Sequence, residues 1–197
     1  MEDNKYSNIQ QDFYSTNSDW TGTREVQNSQ ELVEFHNAST IRIWLNEQNS
    51  GYPAHWHSAM EIIMPVENNY TLVTNNDTYI VEPGNILIVP PGEMHEIVAP
   101  EFGKRFIFMF DLSLIAKLNS FSGIESVLSQ PLFITEDTHP QIYDKIYQLL
   151  LRMRNEYFSK TEYAELMIYS LLLNFFVKIG YNHLNTGNLF PNVRLYK

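Results

Sequence analysis

The chain has 197 residues, 44% of them hydrophobic, and a formal net charge of -10. That is enough for one globular domain with an appendage, or for two small units. So acidic a surface repels phosphate backbones and is poorly suited to holding nucleic acid itself, and with no cysteine disulfides and thiolate metal ligands are excluded.

The opening Met1-Glu2-Asp3-Asn4-Lys5 lacks the basic and apolar regions of a secretory signal. The most apolar stretch, Leu166 to Ile179, contains Asn174 and Lys178 and is too short to span a bilayer. A cytoplasmic protein without a membrane partner is expected. Residues 1–35 read as a polar N-terminal arm whose scattered aromatics (Tyr6, Phe13, Tyr14, Trp20) either fray or dock on the body over a ligand.

Strand signals fill residues 36–111. Ile41–Leu45, Tyr70–Thr74 and Thr78–Val81 alternate, with Asn75-Asn76-Asp77 as a tight turn. Pro83-Gly84 and Pro90-Pro91-Gly92 bracket Ile86–Val89. Lys104–Phe110 puts Phe106, Phe108 and Phe110 on one face and Arg105, Ile107 and Met109 on the other. Short antiparallel strands with regular turns predict a mainly β fold, a small barrel or sandwich.

Residues 112–134 read as a short helical connector, with helices at Leu112–Ser120 and Ile124–Gln130 broken at Ser122-Gly123. A helical hairpin over 135–181 follows. Its first helix opens at Thr138 or His139 with Pro140 in the first turn, and carries a stripe of Ile142, Ile146, Leu149, Leu150, Met153 and Tyr157. The second runs from Thr161 to Gly180 and is apolar nearly all round. Such a helix needs cover on both sides, so a homodimer is expected, with Leu166, Ile168, Leu172, Phe175 and Phe176 as candidate contacts; burial within the chain is the alternative. Residues 182–197, with Asn182, Asn185, Gly187, Asn188 and Pro191, read as a polar linker.

Three of the six histidines fall in two short motifs. His55-Trp56-His57 is followed by Glu61, and Gly84, Pro90, Gly92 and His95 form the second. Strand parity puts His55, His57 and Glu61 on one face if the strand is unbroken. Three imidazoles and a carboxylate suit a divalent transition metal (Fe, Mn, Ni, Co or Zn) or a polar-floored pocket that needs none. Arg42, Trp44 and Arg105 are further pocket candidates, since an aromatic with an arginine suits a sugar or a carboxylate. Parity puts Arg42 and Trp44 together, opposite Ile41, Ile43 and Leu45, with a solvent-facing placement as the alternative. His36, His139 and His183 read as isolated surface residues. No nucleophile triad, P-loop or dinucleotide fingerprint occurs.

The two motifs resemble those of the cupin superfamily, H-x-H-x3-E at His55, His57 and Glu61 and G-x5-P-x-G-x2-H at Gly84, Pro90, Gly92 and His95. Asn68-Asn69 replaces a turn glycine and Ala99 a terminal asparagine of that pattern. The resemblance implies an antiparallel double-stranded β-helix barrel. The order of polar arm, barrel and helical hairpin is similar to the N-terminal regulatory half of AraC-family transcription regulators. That likeness implies a small-molecule effector, often a sugar, bound in the barrel by residues such as His55, His57, Glu61 and His95, with no catalytic residue and no required cofactor. It also implies dimerisation by the hairpin and DNA contact only through a helix-turn-helix region that would follow residue 197. The alternative is a metal-dependent cupin enzyme, a dioxygenase or isomerase, using the same four residues.

Overall fold

A computed structural model describes residues 25–35, 39–47 and 51–185 of the chain. The readings made for Tyr6, Phe13, Tyr14, Trp20, His36 and residues 186–197 lie outside the described residues.

The first described element is a hairpin, β1 (Glu25–Gln27) and β2 (Gln30–Leu32). Its turn residues Asn28 and Ser29 both have positive φ, at 49° and 64°, the geometry that matches the twist of a two-residue hairpin. Nine strands then build the barrel: β3 (Ile41–Asn46), β4 (Tyr52–His55), β5 (Met60–Glu67), β6 (Tyr70–Thr74), β7 (Thr78–Val81), β8 (Ile86–Val89), β9 (His95–Val98), β10 (Lys104–Phe110) and β11 (Leu132–Ile134). They form two facing antiparallel sheets, ordered β11-β8-β5-β10-β3 and β4-β9-β6-β7.

The larger sheet is buried on both faces, which its sequence anticipates in the apolar runs Ile62–Met64 of β5 and Ile86–Val89 of β8. Its outer face, with Ile43, Ile62, Ile88, Phe106 and Phe108, packs under the helices. Its inner face meets the smaller sheet through Ile63, Leu87, Val89, Leu72, Val81 and Ile97. Turns fall where the sequence placed them: Gly84 and Gly92 have φ of 88° and 82°, and Asn68 takes the expected turn glycine's place at φ 60°. Its side-chain amide donates to the Phe102 carbonyl (2.8 Å).

The helical part differs from expectation in four places. The connector contains two single 3₁₀ turns, Ile115–Lys117 and Asn119–Phe121, and α1 (Ser122–Val127), so Ser122-Gly123 starts a helix instead of breaking one. Leu132–Ile134 pairs with β8 as a barrel strand. α2 spans Tyr143–Ser159 and starts later than Thr138, because the Thr135 and Thr138 hydroxyls and amides bond each other in a closed turn. α3 spans Ala164–Asn185 and runs through Gly180. There a Cβ would meet Ile124 Cδ1 at 3.1 Å, so this glycine serves a close approach to α1 and is not a stop.

α3 is long and apolar enough, by length and composition, to cross a membrane, a correction to the shorter stretch read from sequence. One side of it is core: Ile168, Leu171, Leu172, Phe175, Phe176 and Ile179 are buried with the α2 stripe. Four dimerisation candidates, Ile168, Leu172, Phe175 and Phe176, are therefore inside the protomer, and only Leu166 faces outward, at 69% exposed. An all-apolar helix carries no signal for which half faces its own sheet. The exposed half centres on Leu166, Leu173, Val177, Tyr181 and Leu184, with Met167 at its edge. At about 100° per residue these fall opposite the buried set.

Candidate functional site

His55, His57, His95 and Glu61 converge at one end of the space between the sheets, all four at most 3% exposed. The route differs from simple strand parity. β4 ends at His55, Trp56 turns away to bridge Gln30 of the hairpin, and His57 lies in the loop before β5. His57 is placed instead by the second motif, because the Gly92 amide donates to the His57 carbonyl (2.8 Å). Gly92 is needed for its positive φ, since a Cβ there would meet nothing within 4 Å. His95 opens β9 directly opposite His55, and Glu61 pairs across to Val89 and Met109.

Each imidazole is oriented by a main-chain carbonyl two residues away. His55 Nδ1 lies 2.9 Å from Pro53 O, His57 Nδ1 2.9 Å from Ala59 O, and His95 Nδ1 2.9 Å from Glu93 O. A carbonyl only accepts, so each Nδ1 carries the proton and donates it. All three Nε2 atoms are thereby turned inward. One ligand nitrogen from each ring lies within 4.8 Å of the others, and Glu61 Oε2 lies 3.3 Å from His57 Nε2 and 3.2 Å from His95 Nε2. This donor set fits a divalent transition metal: three neutral imidazoles with their second nitrogens anchored, plus one carboxylate. Such an ion would supply Lewis acidity at the end of the lumen.

The same groups also balance their charge as an ion-paired cluster. Burial pushes the Glu61 carboxyl up, but hydrogen bonds and charge from His57 and His95 outweigh it and hold the group well below the usual carboxylate range. Burial likewise pushes the His57 imidazole down, and the Glu61 carboxylate beside it reverses this and raises it above the ordinary value.

One site residue was not read from the sequence. Glu31 of the β1–β2 hairpin reaches across so that its Oε2 lies 3.0 Å from His55 Nε2. The hairpin is held there by main-chain bonds, the Glu31 amide to the Trp56 carbonyl (2.8 Å) and the Trp56 amide to the Ser29 carbonyl (2.9 Å). A single acidic residue in a polar arm has no distinguishing neighbour pattern. The only signal was the Asn28-Ser29 pair, a turn that folds the arm back on itself.

Arg42 and Trp44 both face the lumen, at 4% and 5% exposed, which settles the solvent-facing alternative against it. The Arg42 guanidinium lies 5.1 Å from the Trp44 ring centroid and donates to the Glu34 carbonyl (3.0 Å). Val33 and Phe35, just after the hairpin, pack with Trp44, Ala59, Ile107 and Met109. Arg105 is also inward-facing, and by register it belongs to the other end of the lumen: it pairs with Asn46 and Pro65, whereas Met109 pairs with Arg42 and Glu61. His139 is half-buried with its Nδ1 2.9 Å from Thr138 Oγ1, and His183 is partly buried on α3, so neither is the plain surface residue expected.

The two-sheet barrel with this histidine cluster and the appended helices defines a cupin-type domain. The model of the AraC-like ligand binding domain matches residues 37–172, and the chain belongs to that family. Among solved structures it is similar to a cupin-2 domain containing protein from Shewanella frigidimarina, at 18% identity over 51% of this chain and 89% of that one, with a TM-score of 0.36. It is also similar to a protein from Neisseria meningitidis, at 14% identity over 52% of this chain and 96% of that one, with a TM-score of 0.36. No curated protein matches the chain.

Proposed function

We propose that this chain is the effector-sensing and dimerising part of a cytoplasmic transcription regulator, with a small molecule bound in the barrel lumen. The Glu31–His55 contact carries the reading: it ties the N-terminal hairpin to an imidazole lining the lumen. A ligand that competes for His55, or repacks Trp44 against Val33 and Phe35, binds the hairpin-docked and hairpin-released states with different affinity, which a sensor requires. The exposed half of α3 is the candidate surface for a second copy, and DNA contact in this reading belongs to a helix-turn-helix part following the α2–α3 helical pair. The acidic charge of -10 is consistent with DNA contact made elsewhere. Limited proteolysis of the hairpin with and without stabilising small molecules tests the reading. Ligand-dependent cleavage supports it, and cleavage indifferent to every stabilising ligand opposes it.

A second reading, a metal-dependent cupin enzyme, draws on the inward-turned Nε2 atoms. Stoichiometric metal held by His55, His57, His95 and Glu61 together with turnover of a small substrate would favour it.

A further inference from the structure

Among the described residues Arg105 is the most deeply buried basic side chain outside the histidine cluster. It is 0% exposed, and among the described residues its Nε and both Nη nitrogens have no hydrogen-bond partner of good geometry, the neutral Tyr70 hydroxyl being the polar group that interacts with it. Two tyrosines from the opposite sheet hold it by its faces, the Tyr70 ring centroid 4.4 Å and the Tyr52 ring centroid 5.4 Å from the guanidinium carbon. Stacking of this kind leaves the N–H edge of the guanidinium unused.

Among the described residues no carboxylate is paired with it. Burial raises both the Tyr52 and the Tyr70 phenols above their ordinary value, so both are neutral at pH 7. Glu61 is engaged by His57 and His95, and Glu31 by His55. Glu67 lies opposite Lys104 at the end of its strand and makes no bond to Arg105. A buried charge left without a partner is strongly unfavourable, and an arriving anion would relieve that penalty.

We propose that Arg105 reads a carboxylate on the effector, an assignment that rests on the sensor function above and names the chemistry it senses. The planar guanidinium edge matches a carboxylate in two parallel hydrogen bonds. One guanidinium suits a monoanion; a phosphate dianion would call for a second cation, and Arg42 is committed to the Glu34 carbonyl and the Trp44 face. Ile63, Ile107 and Trp44 line the next level of the lumen by register, an apolar bed for the ligand's carbon body. The Arg105 nitrogens are closed to solvent, so a carboxylate reaches them only with a rearrangement of the side chains packed around them. Tyr52 sits on β4, whose register with β9 breaks between Tyr52 and His55.

Thermal unfolding of the full chain, in sodium acetate and benzoate against acetamide and benzamide with sodium chloride as the ionic control, tests this. The carboxylates should give a saturable rise in Tm that the amides and chloride do not. Arg105→Met should weaken carboxylate affinity at least tenfold while its ligand-free Tm equals or exceeds that of the natural chain. Arg105→Lys, which keeps the charge without the fork, should show an intermediate loss. Equal stabilisation by amides, a carboxylate response intact in Arg105→Met, or no carboxylate response at all overturns the proposal. If neutral sugars then still stabilise the chain, only the role of Arg105 is lost; if no small molecule does, the sensor reading falls with it.

Discussion

Glu31 Oε2 lies 3.0 Å from His55 Nε2, joining a hairpin outside the barrel to an imidazole that is 3% exposed within it. The same Nε2 is the atom a metal or a ligand would use, so hairpin docking and lumen occupancy would compete for that one nitrogen. Glu31→Gln removes the carboxylate and keeps the shape. The amides of Glu31 and Trp56, which bond across the hairpin contact, should then exchange with solvent roughly tenfold faster, the effect of losing about 1.4 kcal/mol. Unchanged exchange at both amides would mean that the contact does not hold the hairpin.

The His57–Glu61 pair makes stability depend on pH from both sides. His57 is raised above its ordinary value of 6.5, so its contribution is complete below that pH and is lost as pH rises through the raised value. Glu61 is depressed from its ordinary value of 4.5, so its contribution is present above that pH and is lost as pH falls through the depressed value. In chelator, Tm should be highest between these limits and decline toward both the alkaline and the strongly acid side. Glu61→Gln should flatten both limbs, and a variant profile parallel to that of the natural chain would contradict the pairing.

The two faces of α3 predict opposite consequences for adjacent leucines. Leu172 is fully buried and Leu173 is 39% exposed. Leu172→Ala should cost about 2–5 kcal/mol in urea unfolding. Leu173→Ala should leave protomer stability within about 0.5 kcal/mol, and Leu173→Glu with Val177→Glu should shift a dimer to monomer in sizing. The reverse pattern would assign the faces wrongly.

Gly92 links the two motifs by donating to the His57 carbonyl from a φ of 82°. Gly92→Ala forces a side chain into the left-handed region at roughly 1–2 kcal/mol, although the space around it is open. The loop should relax and His57 lose its position, so metal affinity in a titration with Ni or Zn should fall more than stability does. Equal losses would make Gly92 a purely structural residue.

The barrel was legible because β strands with a fixed turn chemistry announce themselves: Pro83-Gly84 and Pro90-Pro91-Gly92 mark both ends of β8. β11 was not, since three residues, Leu132–Ile134, cannot display an alternation. The four motif residues were legible from spacing, but their convergence does not follow from parity. It depends on the break after His55 and on a hydrogen bond from Gly92, neither of which a linear pattern encodes. Gly180 misled for a related reason: a glycine that ends a helix and a glycine that admits a neighbouring Ile124 look alike in one dimension. Glu31 and the unmatched charge of Arg105 became visible only with the sheets assembled, because each depends on which groups fail or manage to meet it.

The sensing role proposed for the lumen is best probed by thermal unfolding in chelator across sugars and small carboxylic acids. A saturable rise in Tm is expected with at least one of them, carboxylates foremost, and without added metal. No rise with any compound in chelator, together with a stabilisation that appears only on adding a divalent transition metal, would contradict it and favour the metal-dependent enzyme.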